Sequence, residues 1–195
     1  MSARSTNVPL RCACGELRGV ALDVTSKAGT RVLCYCDDCQ KFATYLGHPG
    51  VVDQWGGTDI FQMAPSQVRL DRSRTLRAVR LTDKGLFRWH CAECKTPVGN
   101  MVGPRVPFVG VVHSVMDHEA TGRTRDELLG PAALIQTKFA IGQGAPKDAG
   151  VLGVIARASV NMAGWWVRGA TSPSAFFDGK TPRAPVEVLS SKLPG

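Results

Sequence analysis

Seven cysteines in three short clusters constrain this chain more than any other feature. Cys12-Ala13-Cys14 comes first, Cys34-Tyr35-Cys36-Asp37-Asp38-Cys39 second and Cys91-Ala92-Glu93-Cys94 last, and no cysteine lies outside them. Structural zinc is usually tetrahedral, with four Cys or His ligands drawn from short clusters that the fold brings together. Pairing Cys12 and Cys14 with Cys91 and Cys94 makes such a closed site, and Gly15 suits the tight bend of Cys-x-Cys because glycine adopts positive φ cheaply. A metal there closes a long loop, so its loss costs folding and not activity alone. Cys34, Cys36 and Cys39 then remain as three ligands with a free fourth position, the pattern of a catalytic zinc site. Two Zn²⁺ per chain are expected on this reading. His48 is the alternative fourth ligand, which would convert the open site to a closed one.

An open three-thiolate zinc favours a thiol as its guest, because soft ligands match it and the metal stabilises the thiolate anion. Three thiolates leave the site negative, so nearby cations help. From Arg69 to Lys95 the chain carries Lys or Arg eight times against three acids. That run reads either as a solvated sheet face or as an electropositive wall that receives carboxylates. The formal charge of +8 falls to about +5 with two zinc ions on seven thiolates. This excess weakly favours an anionic partner and leaves nucleic acid, an acidic small molecule and simple solubility open, with a small-molecule thiol expected ahead of nucleic acid. Clustered cysteines without a visible secretory leader or an apolar membrane-length run point to a cytoplasmic, metal-binding chain with no membrane partner. Redox sensing by the triplet is the competing use of the same thiols.

The order of elements reads as mainly β. Strands are expected over 16–24, 31–34, 59–63, 67–70, 75–81, 86–90 and 108–113, with turn residues between them, and residues 1–9 as a frayed tail. Asp37 and Asp38 are expected to cap a helix that runs to Leu46 and stops at Gly47, which places Cys39 in its first turn. Trp89 shares the parity of Cys91 and is expected in the core, while His90 reads as a neighbour of the metal or a solvated side chain. Beyond the Gly/Ala/Pro linker at 142–150, Leu152, Ile155, Ala156, Ser159, Ala163, Trp166 and Val167 form a helical stripe opposite Arg157, Asn161, Gly164 and Arg168. The stripe is expected to pack on the sheet or on a second subunit, which makes a homodimer one expected assembly. Pro173, Pro182, Pro185 and Pro194 mark an irregular tail.

The cysteine pattern resembles that of the glutathione-dependent formaldehyde-activating enzymes, a family that includes the centromere protein V-like proteins. The motifs are Cys12-Ala13-Cys14-Gly15, Cys34-Tyr35-Cys36-Asp37-Asp38-Cys39 and Cys91-Ala92-Glu93-Cys94-Lys95, within about Leu10 to Val112. The resemblance implies an Mss4-like (β-tent) fold for a zinc-binding β domain, expected over 10–122, and the chain's own helical stripe marks 123–195 as a C-terminal extension packed on it. It implies structural zinc on Cys12, Cys14, Cys91 and Cys94 and catalytic zinc on Cys34, Cys36 and Cys39. It also implies a carbon–sulfur lyase-type reaction joining formaldehyde to glutathione, with S-hydroxymethylglutathione as product. Tyr35 stands where the family has His, Lys95 where it has Gly, and the segment from Arg123 is longer than the family domain. The alternative is a non-enzymatic zinc-stabilised β module that binds a protein or nucleic acid through its basic face.

Overall fold

The computed structural model describes residues 5–189; residues 1–4 of the expected tail, and Pro194, lie outside them. The elements are β1 (Thr6–Arg11), β2 (Arg18–Val24), β3 (Thr30–Cys34), α1 (Asp37–Leu46), β4 (Thr58–Met63), β5 (Val68–Arg72), β6 (Leu76–Arg80), β7 (Phe87–Cys91), β8 (Pro97–Met101), β9 (Val109–Val112), α2 (Arg125–Leu129), β10 (Ala133–Ile135), α3 (Val151–Val167), β11 (Phe177–Asp178), β12 (Thr181–Pro182) and β13 (Val186–Val188). The protein is mainly β with a C-terminal helix. Among the described residues, no helix is long and apolar enough to cross a membrane.

One sheet has eight strands in the order β10-β3-β4-β9-β8-β7-β6-β13, and a second has three in the order β1-β2-β5. Both edge strands of the large sheet, β10 and β13, come from residues beyond 123 and pair in parallel with β3 and β6. Phe61, Met63, Trp89, Cys91, Val98, Val111 and the inward residues of β1 and β2 form the main core. Trp89 is fully buried there, as its parity with Cys91 requires.

Three expectations need correction. Residues 6–9 are not a tail: Val8 and Leu10 point inward and the strand pairs with β2. Pro9 argues against a central strand, but β1 is an edge strand, where a missing N–H costs no ladder bond. Second, Asp37 and Asp38 do not cap α1; Cys36 is the N-cap, and both acids lie in the first turn, where they still favour the helix dipole. Cys39 falls in that turn as expected.

Third, the face by which α3 docks on its own chain is not the expected stripe. Val151, Val154, Ala158, Asn161, Gly164 and Trp165 turn inward, whereas Leu152 is 84% exposed, Trp166 71% and Val167 81%. The helix carries apolar residues on nearly every side, so periodicity alone does not select the packed one. Arg157 tolerates a position beside the docked face by reaching out along it to donate from Nη1 to the Ser26 carbonyl at 3.0 Å.

Candidate metal centres

The four outer cysteines converge because β1 and β7 end at the same place. Cys12 follows β1, Cys91 ends β7, and the sulfurs of Cys12, Cys14, Cys91 and Cys94 all lie within 4.8 Å of one another. Cys12 and Cys14 sulfurs are 3.4 Å apart, and Cys14 and Cys91 sulfurs 3.8 Å. Thiolates at about 2.3 Å from a tetrahedral zinc stand roughly 3.8 Å from each other, so the spacing fits a metal and not a disulfide. Gly15 sits at φ 74 and donates its N–H to the Cys12 carbonyl, closing the expected bend. Leu17 N–H donates to Cys12 sulfur at 3.3 Å, and Thr96 bridges the two arms through Ala13 N–H at 3.1 Å and Cys94 sulfur at 3.1 Å. Lys95 occupies φ 59, a left-handed conformation that favours glycine.

The triplet gathers at the junction of β3 and α1. Cys34 ends β3, Cys36 caps α1 and Cys39 lies in its first turn, so a strand end and a helix start aim three sulfurs at one point. Those sulfurs also lie within 4.8 Å of one another, and no His, Asp or Glu among the described residues joins them. His48 is not a fourth ligand; it lines a hollow with Cys12 and Thr96. Three sulfurs this close cannot all ionise without a cation. Hydrogen bonds from Cys34 and Cys39, with the Arg88 charge, pull the Cys36 thiol down to about 2. The same Cys36 and Cys39 contacts push Cys34 up. Although its bond with Cys34 lowers Cys39, Cys36 and burial drive it up to about 11. A bound cation removes that conflict, so both cysteine groups are able to hold a metal ion.

One basic residue of the expected wall reaches the triplet. Arg88 on β7 is only 1% exposed, lies 3.8 Å from Cys39 sulfur through Nη1, and pairs with Asp38 at 3.3 Å through Nη2. It supplies the positive charge that three thiolates require. Arg69 and Arg72 lie on β5 in the other sheet, and Arg80 stacks on Phe87 at 4.7 Å. Alternation along β7 carries the signal for Arg88, since it points opposite to Trp89. His90 is not solvated. It is buried edge-on to Phe42 and Tyr45, and burial, with Lys95 and Arg77, brings its imidazole down to about 4.

Two buried features beside the triplet escape sequence reasoning. Tyr35 is 1% exposed and donates its hydroxyl to Asp53 Oδ2 at 2.9 Å, with Gly57 leaving room for its ring. Thr58, directly opposite Cys34 on β4, is buried with a hydroxyl that has no hydrogen-bond partner among the described residues. Val32, Ile60, Ile135 and Val154 pack around the cysteines, so the extension helps to wall the site.

Fold and site thus define a mainly β protein with two thiol clusters, each suited to a metal ion. The chain belongs to the family of unknown function DUF6151, whose model matches residues 4–187 and so takes in β10, α3 and the start of β13 along with every cysteine. Among curated proteins none matches. The crystal structure of a Rhodobacter sphaeroides protein, a structural genomics target, is similar at 14% identity and TM-score 0.44, over 65% of this chain and 98% of that one.

Proposed function

We propose that the protein is a zinc-dependent carbon–sulfur lyase-type enzyme on an Mss4-like (β-tent) sheet, related to the formaldehyde-activating enzymes. It acts on a small thiol such as glutathione and a small aldehyde such as formaldehyde. The observation that carries the reading is the contrast between the clusters: four thiols around one point, and three around the other without a fourth ligand among the described residues. Closed sites are structural, while a three-ligand zinc keeps a position for substrate. Zinc held by Cys34, Cys36 and Cys39 supplies a Lewis acid that lowers the pKa of a bound substrate thiol.

The remaining steps belong to this chain's own residues. Arg88 offsets the charge of the three thiolates from a buried position. Val32, Ile60, Ile135 and Val154 keep water from the sulfurs. In the forward direction the C–S bond forms between thiol sulfur and carbonyl carbon, and the thiol proton ends on the carbonyl oxygen; the reverse elimination breaks the same bond. The unpartnered Thr58 hydroxyl opposite Cys34 is available to hydrogen-bond that oxygen as its charge develops.

Metal content per chain, measured with and without millimolar glutathione on the wild type and on Cys36→Ser, tests the reading. Two zinc ions in the wild type, one in the variant, and a thiol effect confined to the wild type support it. One zinc throughout, untouched by thiol, refutes it and leaves a structural or binding module.

A further inference from the structure

We propose that the cleft between the first half of α3 and the β3/β10 edge is a carboxylate site, which receives the acidic end of the thiol substrate. The thiol identity rests on the function proposed above; the anion site rests on the cleft itself. The cleft has a volume of about 240 Å³, and Thr30, Ala133, Gly150, Gly153, Val154 and Arg157 line it.

Four features make it an anion site. Thr30 is 4% exposed, yet its hydroxyl has no hydrogen-bond partner among the described residues, and a buried polar group of that kind calls for a ligand or water. α3 is 17 residues long, its N-cap is Gly150, no side chain caps it and no acid occupies its first turn. Gly150 and Gly153 at the start of the helix line the cleft, so the positive end of its dipole adjoins it without internal compensation. Arg157 stands one turn further on and spends Nη1 on the Ser26 carbonyl, which holds its head at the rim with other donors free. Arg31, also at the cleft, is already committed to Asp59 and Asp126.

Gly153 keeps the entrance clear: a Cβ built there meets nothing within 4 Å, so a larger side chain would occupy open cleft space. The cleft also leads to the triplet. Thr30, Val32 and Cys34 share one face of β3, and Ala133 and Ile135 of β10 pair with Val32 and Cys34. Val154 lines the cleft and packs against the apolar cluster that contains Cys34 and Cys39, so the cleft adjoins that cluster. Thr30 and Cys34 are four residues apart on the strand, about 13 Å; a metal bond of about 2 Å at one end and a hydrogen bond of about 3 Å at the other leave about 8 Å between substrate sulfur and carboxylate, close to the reach of two extended residues. A short peptide thiol bridges that distance, with sulfur at the triplet and carboxylate at α3.

Calorimetric titration of the zinc-loaded full chain tests this with two probes, glutathione and S-methylglutathione, which keeps the carboxylates but has no free thiol. S-Methylglutathione is expected to bind the wild type and Cys36→Ser alike, and its diethyl ester to bind neither. Thr30→Val and Gly153→Val are each expected to weaken both probes by about fivefold or more, while Thr30→Ser, which keeps the hydroxyl, retains affinity. Unchanged zinc content and melting temperature identify the folded variants. Wild-type affinity in Thr30→Val and Gly153→Val overturns the proposal, as does failure of S-methylglutathione to bind. If glutathione itself binds Cys36→Ser as tightly as the wild type, the triplet reading fails while the carboxylate site stands.

Discussion

Replacing Asp59 with Asn should cost this protein about 3 kcal/mol, and the structure allows the figure to be worked out. Asp59 lies on β4 with its side chain 7% exposed, and Arg31, 9% exposed, meets it with Nε at 3.0 Å and Nη2 at 2.7 Å. Arg125 of α2 adds a third contact at 3.1 Å. Asn keeps the shape but removes the charge and turns an amide donor toward guanidinium donors. Breaking a buried pair from one side typically costs about 3–5 kcal/mol. Arg31 keeps the Gly130 carbonyl and Asp126, but the Asp126 side chain is 84% exposed and its charge is screened, so the lower end applies. At this chain length about 3 kcal/mol lowers the melting temperature by roughly 6–12 °C. The sign with pH also follows. Burial alone would raise the Asp59 carboxyl, but Arg31, with His113 and Arg125, holds it below its usual value. Its stabilising contribution is complete above the ordinary carboxylate pKa of about 4 and is lost as pH falls through the lowered native value. Thermal melts of metal-loaded wild type and variant, followed by circular dichroism from neutral to acid pH, read both effects. The gap should be widest at neutral pH and narrow in acid; a gap under about 2 °C at neutral pH, or one that widens in acid, refutes the reasoning.

Three further outcomes are expected. Lys95→Gly relieves the left-handed φ of 59 and should stabilise the fold by about 1 kcal/mol, read as a higher melting temperature. Cys91→Ser opens the four-thiol cluster that joins the ends of β1 and β7, so it should lose one metal and the cooperative melt together; loss of metal with an unchanged melt contradicts a folding role. Arg88→Met removes the buried charge beside Cys39 and should weaken metal at the triplet by about tenfold or more in competition with a chromophoric chelator, leaving the four-thiol metal in place.

Much of this organisation is legible in the chain. Cys-x-Cys, Cys-x-x-Cys and the triplet identify which thiols gather, because one or two intervening residues leave a sulfur little choice of direction. Gly15 marks its bend and Gly47 the end of α1 for the same local reason, a positive φ. The strands of the central β region follow from alternation and turn residues, and so does the burial of Trp89. β1 and β8 hide behind Pro9, Pro97 and Gly99, residues that break strands by propensity but fit an edge position, a strand start and a site where a Cβ would come within 3.1 Å of the Gly110 carbonyl.

What the sequence by itself determined is therefore the ligand chemistry: seven thiols, their local geometry and their division into four and three. Tertiary structure alone decided their surroundings. It brought Arg88 of β7 against Cys39, set Thr58 opposite Cys34, closed both edges of the sheet with strands from the extension, and turned Val154 rather than Leu152 toward the cysteines. Those contacts join residues far apart in the chain, and long-range packing, unlike the period of a strand or the bend of a knuckle, leaves no local pattern to read.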